Sequence, residues 1–284
     1  MKILVLGVTG MLGNTLFRYL SRQPDLEVYG SARSARAAGH FAEDLRAKIL
    51  TGVNVENQDA LIKVYATARP DVVINCVGLI KQLAESNDPL EAIPINSLLP
   101  HRLAALCELA GARLIHVSTD CVFSGNKGNY TEADFPDAGD LYGRSKLMGE
   151  VDTPHAITLR TSLIGHELSG NHSLVNWFLS RQGSVKGYTN AIFSGLPTVE
   201  ISRIVMEYVL PRPELHGLYH VAAAAINKCD LLRLIATAYN KPIEVIPDAA
   251  LNIDRSLNAS RFNTATGYRA PEWPELINRM EQFQ

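Results

Sequence analysis

The tightest constraint on this chain lies in its first thirteen residues. K-I-L-V-L-G over residues 2–7 reads as a buried strand and runs directly into G-V-T-G-M-L-G, which sets Gly7, Gly10 and Gly13 three residues apart. A helical stretch carrying Leu16 and Leu20 follows. Glycines in that place allow a tight turn, let the backbone approach a pyrophosphate and let helix and strand pack closely. Free N–H groups at the helix start then attract the anion, and Thr9, Met11 and Leu12 fall inside the same expected contact. A turn alone would also use glycines. The strand before and the helix after favour a dinucleotide loop.

Further short apolar runs follow at 26–31 (L-E-V-Y-G-S), 71–76 (D-V-V-I-N-C) and 112–118 (A-R-L-I-H-V-S), separated by amphipathic stretches. Continuous apolar strands need helices on both faces, so the series predicts an α/β fold with a doubly wound parallel sheet of the Rossmann type. Between 88 and 110 a helical spacing of leucines and isoleucines is interrupted by Pro94 and Pro100, which predicts a kinked or late-starting helix. Beyond 151 the alternation loosens. A strand over 156–160, helical patches near 173–181, 200–209 and 229–239, and a strand at 217–221 are punctuated by prolines. The expected division is a dinucleotide-binding core over 1–160 and a smaller C-terminal α/β lobe over 161–284, with some segments returning to the core.

The end of the second strand selects the cofactor. A carboxylate there would bond the ribose 2′-hydroxyl of NAD, but the chain reads G-S-A-R-S-A-R, offering Ser31, Arg33 and Arg36. A planar guanidinium matches phosphate oxygens in pairs, so the pattern favours the 2′-phosphate of NADP(H), with Arg33 ahead of Arg36. Plain surface solvation is the competing reading for each arginine. Asn54, after the third strand, and Asn75-Cys76-Val77-Gly78 are expected along the adenine and ribose.

Composition excludes several classes. The formal charge of -2, with scattered Lys and Arg, lacks the basic footprint of a nucleic-acid binder. Cys76, Cys107, Cys121 and Cys229 are far apart and the eight histidines are dispersed, so neither a disulfide framework nor a metal site is expected. The N-terminus lacks the apolar region and cleavage site of a signal peptide, and no stretch nears the ~20 apolar residues of a membrane span. A cytoplasmic protein without membrane insertion is the expectation.

Tyr142 and Lys146 stand four apart in L-Y-G-R-S-K-L-M-G-E, so on a helix they share a face. A phenol with pKa ~10 is a poor proton carrier at neutral pH, and a neighbouring ammonium is expected to lower it. Alone, this pair also fits an ordinary helix surface.

Together, G-V-T-G-M-L-G, N-C-V-G, S-T-D-C-V-F and Y-G-R-S-K follow an order and spacing that resembles the extended short-chain dehydrogenases/reductases, nearly end to end. More narrowly, S-T-D-C-V-F-S-G, Tyr130-Thr131-Glu132, L-R-T-S, G-L-P-T and G-L-Y-H-V are similar to the dTDP-4-dehydrorhamnose reductase family. The resemblance implies that Thr119 polarises a substrate carbonyl, Tyr142 supplies the proton, and Lys146 holds the nicotinamide ribose while tuning Tyr142. NADPH is the implied hydride source. The implied substrate is a UDP- or dTDP-linked 4-keto-6-deoxy-hexose of deoxysugar and cell-surface polysaccharide biosynthesis, and a homodimer is compatible with it. Asp120 either takes part in this chemistry or simply orders its turn. Thr161 lies at a strand end where the family approaches the nicotinamide, although a strand-to-loop transition explains it equally well.

The chain departs from the family where large aromatics are usual. Cys121 follows S-T-D in place of tyrosine, and Leu163 follows L-R-T-S in place of tryptophan, which removes stacking area from the expected sugar pocket. Lys81 is a candidate for a sugar hydroxyl or phosphate, against a solvated loop lysine. Trp177 is a candidate for stacking on the base, against core packing beside Leu174, Val175, Phe178 and Leu179. Two other functions stay open. A nucleotide-sugar epimerase or dehydratase shares the loop and the Tyr–Lys pair, and a non-catalytic NADP-binding regulatory subunit shares the fold.

Overall fold

A computed structural model describes residues 1–81 and 84–283. Seven strands form one parallel sheet: β1 (Lys2–Leu6), β2 (Glu27–Ala32), β3 (Ile49–Thr51), β4 (Val72–Asn75), β5 (Arg113–Thr119), β6 (Ala156–Thr161) and β7 (Gly217–His220). Their spatial order is β7-β6-β5-β4-β1-β2-β3, with every neighbouring pair parallel. The order reverses between β1 and β4, which opens a crevice beyond their carboxyl ends.

Alternation along β1 explains the layering. Ile3 and Val5 point to one face, where Leu12, Leu16 and Phe17 of α1 (Met11–Leu20) and Ile201, Ile204 and Val205 pack. Leu4 and Leu6 point to the other, against Leu61 and Val64 of α2 (Gln58–Ala68) and Leu103 and Cys107 of α3 (Leu99–Ala110). Each face is dry because helices cover it. That is why the strands carry apolar residues on both sides, and why their limits fall within about a residue of those expected from periodicity.

The interrupted helix takes a specific form. A short α-turn over Pro89–Ala92 leads into a π-helical turn over Ile93–Leu98, and only then into α3. Pro94 has no N–H to continue the α-ladder, and the wider turn absorbs that loss. Asn96, in this turn, is buried: its Oδ1 accepts from the Leu79 N–H at 2.9 Å and its Nδ2 donates to Ser145 Oγ at 3.1 Å. Ser97 Oγ donates to the Ser145 carbonyl at 2.8 Å. The wide turn therefore clasps α4 (Leu141–Met148), whose N-terminus is capped by Asp140 accepting from the Gly143 N–H at 2.8 Å.

Residues beyond β6 add short pairings that periodicity had not indicated. Ser184–Tyr188 pairs in parallel with Glu244–Asp248, and Ala191–Phe193 sits between Ile226–Asn227 and Ile253–Asp254. Leu163–Ile164 pairs with Leu196–Pro197. Phe123 stacks on Tyr130 with ring centroids 4.1 Å apart, and both pack on Leu257, which ties the loop after β5 to the segment around Leu257. Among the described residues no helix is long and apolar enough to cross a membrane.

One buried ion pair joins α4 to the sheet. Arg160 on β6 donates through Nε and Nη2 to the two oxygens of Glu150, each at 2.6 Å, and Ser118 Oγ donates to Glu150 Oε1 at 2.7 Å. Arg160→Met leaves Glu150 desolvated without its partner, so a loss of about 3–5 kcal/mol is expected. Urea denaturation measures it, and Glu150→Gln on the same background is expected to recover part. A single variant as stable as the wild type would show that the pair holds nothing.

Candidate active site

The glycine loop is built as its spacing suggests. Gly7 leaves β1 at φ +81°, in the left-handed region, and donates its N–H to Ser31 Oγ at 3.3 Å. A Cβ on Gly13 would overlap the Gly7 carbonyl oxygen, so only glycine lets α1 begin this close to the strand. Gly10 caps α1 with no side-chain hydrogen bond, and the first turn holds no acid. The N–H groups of Met11, Leu12 and Gly13 have no intrahelical acceptor, as at any helix start. They fit an anionic group.

Ser31 is buried at the end of β2, while Thr9, Arg33 and Arg36 are exposed beside it. Neither guanidinium has an ion-pair partner among the described residues, and no carboxylate stands at the strand end. Asn54 is exposed, its Oδ1 accepting from the Glu56 N–H at 3.1 Å. At the end of β4, Cys76 and Val77 are half-buried and Gly78 is exposed. A Cβ on Gly78 would lie 3.8 Å from Lys146 Nζ and 3.4 Å from Asn96 Oδ1, so its missing side chain leaves the ammonium reachable from the crevice.

Thr119 ends β5, and α4 brings Tyr142 to it. The Thr119 side chain lies close enough to the Tyr142 phenol to act on its protonation. Thr119 Oγ1 also donates to Asp120 Oδ1 at 3.2 Å and accepts from the Cys121 N–H at 3.1 Å. One turn along α4, the buried Lys146 ammonium donates to the Val117 carbonyl at 2.9 Å. The three groups thus converge at the carboxyl edge of the sheet.

Their electrostatics correct one expectation. Lys146 was expected to lower the Tyr142 phenol; instead burial raises it, with the Cys121 and Asp120 side chains adding and the Thr119 side chain opposing. The ammonium is committed to Val117 rather than to the phenol. Its own pKa is lowered to about 8, by desolvation against the opposing charge of Glu150. Burial also raises the Asp120 carboxyl, against the Arg255 charge and hydrogen bonds with Cys121, Thr119 and Ser162. Tyr142 accordingly carries its proton at neutral pH.

A sequence-family model described as the RmlD substrate binding domain matches residues 1–282. The chain belongs to this family. It is 28% identical over 255 residues to methionine adenosyltransferase 2 subunit beta of Danio rerio, covering 85% of this chain and 75% of that protein. It is 26% identical to the dTDP-4-dehydrorhamnose reductase of Escherichia coli strain K12, covering 99% and 97%. In fold it matches dTDP-4-dehydrorhamnose reductase from Bacillus anthracis strain Ames, solved in complex with NADP, at a TM-score of 0.79 and 22% identity over 99% of both chains.

Within this RmlD-family chain the outlying residues divide. Lys81 is exposed and pairs with Asp140 at 2.5 Å, beside the start of α4. Leu163 and Cys121 are half-buried, and Thr161 is buried at the end of β6. Trp177 is half-buried against the main core with Arg181 over its ring at 5.5 Å. No hydrogen bond or ring contact joins Trp177 to Thr119, Tyr142 or Lys146 among the described residues. Asn96 and Arg255 were missed. Asn96 lies in a helix whose irregular turn carries no period, and Arg255 reaches the site from far along the chain.

The lowered Lys146 pKa has a thermodynamic consequence. Between about 8 in the folded chain and ~10.4 unfolded, the unfolded state binds the extra proton, so this lysine's contribution to stability rises with pH through that window. Wild-type protein is expected to gain stability relative to Lys146→Met between pH 7.5 and pH 9.5, read from urea midpoints. A difference that stays constant across that range would contradict a buried ammonium.

Proposed function

We propose that this protein is an NADPH-dependent reductase of the 4-keto group of a nucleotide-linked 6-deoxy-hexose, with UDP or dTDP as the nucleotide. The observation that carries the reading is the convergence of the buried Thr119 and Lys146 with the half-buried Tyr142 beside Gly78, at the crevice edge next to the glycine loop. The cofactor fits the residues present: a glycine turn in which a Cβ on Gly7 or Gly13 would clash, helix-start N–H groups for the pyrophosphate, and Arg33 and Arg36 where a 2′-phosphate would lie. NADPH supplies a hydride when bound.

The chain's own groups do the rest. A substrate carbonyl oxygen placed between the Thr119 and Tyr142 hydroxyls competes with Asp120 for the Thr119 proton and is polarised by it. Tyr142 holds its proton because burial disfavours the phenolate, so it is a donor in the direction of reduction, delivering that proton to the developing alkoxide. Lys146, next to Gly78 and bonded to the Val117 carbonyl, is placed for a ribose hydroxyl of the cofactor. Cys121 and Leu163 line the sugar side with less bulk than aromatic residues, which suits a 4-keto sugar other than dTDP-4-dehydrorhamnose.

A second reading draws on the relatives named methionine adenosyltransferase 2 subunit beta, and would make this chain a subunit of another enzyme. The intact hydroxyl, phenol and ammonium favour catalysis. Purified protein should oxidise NADPH when given UDP- or dTDP-linked 4-keto-6-deoxy sugars, and Tyr142→Phe should lower turnover roughly 10²-fold or more while leaving NADPH affinity near the wild-type value. Equal turnover by the variant removes the assigned proton donor. For Arg33→Ala, weaker NADPH binding and a smaller preference over NADH are expected from paired titrations, and an unchanged preference would place the 2′-phosphate elsewhere.

A further inference from the structure

Arg255 arrives in the site from the lobe, immediately after Ile253–Asp254. Its backbone neighbours are pinned: the Asp254 N–H donates to the Gly125 carbonyl at 2.8 Å, the Ser256 N–H to Asp254 Oδ1 at 2.9 Å, and the Tyr130 N–H to the Ser256 carbonyl at 2.8 Å. Gly125 makes this approach possible, because a Cβ there would stand 3.1 Å from Arg255 Cγ. The guanidinium is aimed by one strong bond, Nε donating to the Phe123 carbonyl at 2.8 Å, and Nη1 lies 3.8 Å from Cys121 Sγ. That sulfur belongs to the residue whose N–H bonds Thr119.

The half-buried cation has no ion-pair partner within 4.0 Å among the described residues, although Asp120, Asp137 and Asp140 lie near enough to feel its charge. Each of those acids is served by other donors. Asp137 accepts from the Ser124 N–H and hydroxyl, and Asp140 from Lys81 and the Gly143 N–H. Asp120 accepts from the Thr119 hydroxyl. Three of the five guanidinium hydrogens thus have no acceptor among the described residues. A half-buried cation with spare paired donors, held beside Cys121 two residues along from Thr119, suits a phosphate.

We propose that Arg255 is a substrate-binding residue that holds the diphosphate of the nucleotide-sugar substrate, across the sugar from Thr119 and Tyr142. This inference rests on the reductase reading of the site for the identity of the substrate. Its position on the lobe, packed on the loop after β5, separates it from the glycine turn at β1 that would hold the cofactor's pyrophosphate.

The test is binding, which needs no turnover. Full-length wild type, Arg255→Met and Arg255→Lys are titrated calorimetrically with UDP and with dTDP in the presence of NADP⁺, and separately with NADPH. Arg255→Met is expected to weaken the bound diphosphate roughly tenfold or more, with Arg255→Lys recovering part and NADPH affinity unchanged. KM for the sugar nucleotide should rise by a similar factor while kcat moves less. Equal diphosphate affinity in wild type and Arg255→Met overturns the proposal, as does failure of the wild type to bind either diphosphate. A parallel loss of NADPH affinity also overturns it, by assigning Arg255 a structural role. Wild type that shows the Arg255 effect on binding but reduces no 4-keto sugar refutes the reductase reading alone.

Discussion

The site depends on keeping one ammonium out of water. Lys146 is buried, and an unsolvated cation persists only where hydrogen bonds and charge replace its hydration. The Val117 carbonyl supplies the bond at 2.9 Å and Glu150 the opposing charge. Glu150 is in turn held by Arg160 and Ser118 on the two strands beneath. The β4 ladder ends where Asn75 pairs with His116, one residue before Val117, so the ammonium takes up strand edge just beyond the last pair. Sheet, helix α4 and ion pair are a single arrangement, and Tyr142 rides on it.

The π-turn at Ile93–Leu98 completes that arrangement from the other side. Its widened backbone delivers Asn96 and Ser97 onto Ser145, so α4 is clasped between a strand edge and a neighbouring helix. A continuous α-helix would rotate these side chains away. Preorganisation of this kind lets hydroxyls separated by twenty-three positions in sequence meet without reordering, which is what stabilising a developing alkoxide requires.

Much of this was legible in residue order. The glycine spacing, the absence of an acid after β2 and the Tyr–Lys interval each act through local geometry: a turn that excludes Cβ, a strand end, one face of a helix. The main strands were readable because burial on both faces writes a continuous apolar run. The short pairings of the lobe were not, since two- or three-residue strands leave no period to count. Asn96 was hidden because prolines mark a break without saying how the backbone resolves it. The sign of the Tyr142 shift was also misjudged, because spacing places an ammonium near a phenol but carries no information about the water removed from both.

Sequence by itself determined the fold class, the glycine turn and the residue types of the proposed chemistry, because these follow from interactions within about a dozen residues. Only the tertiary structure decided that the phenol stays protonated, that the ammonium points to a strand carbonyl, and that Arg255 stands beside Cys121 with donors to spare. Desolvation and long-range placement are properties of the packed volume, summed over elements that the linear order leaves far apart.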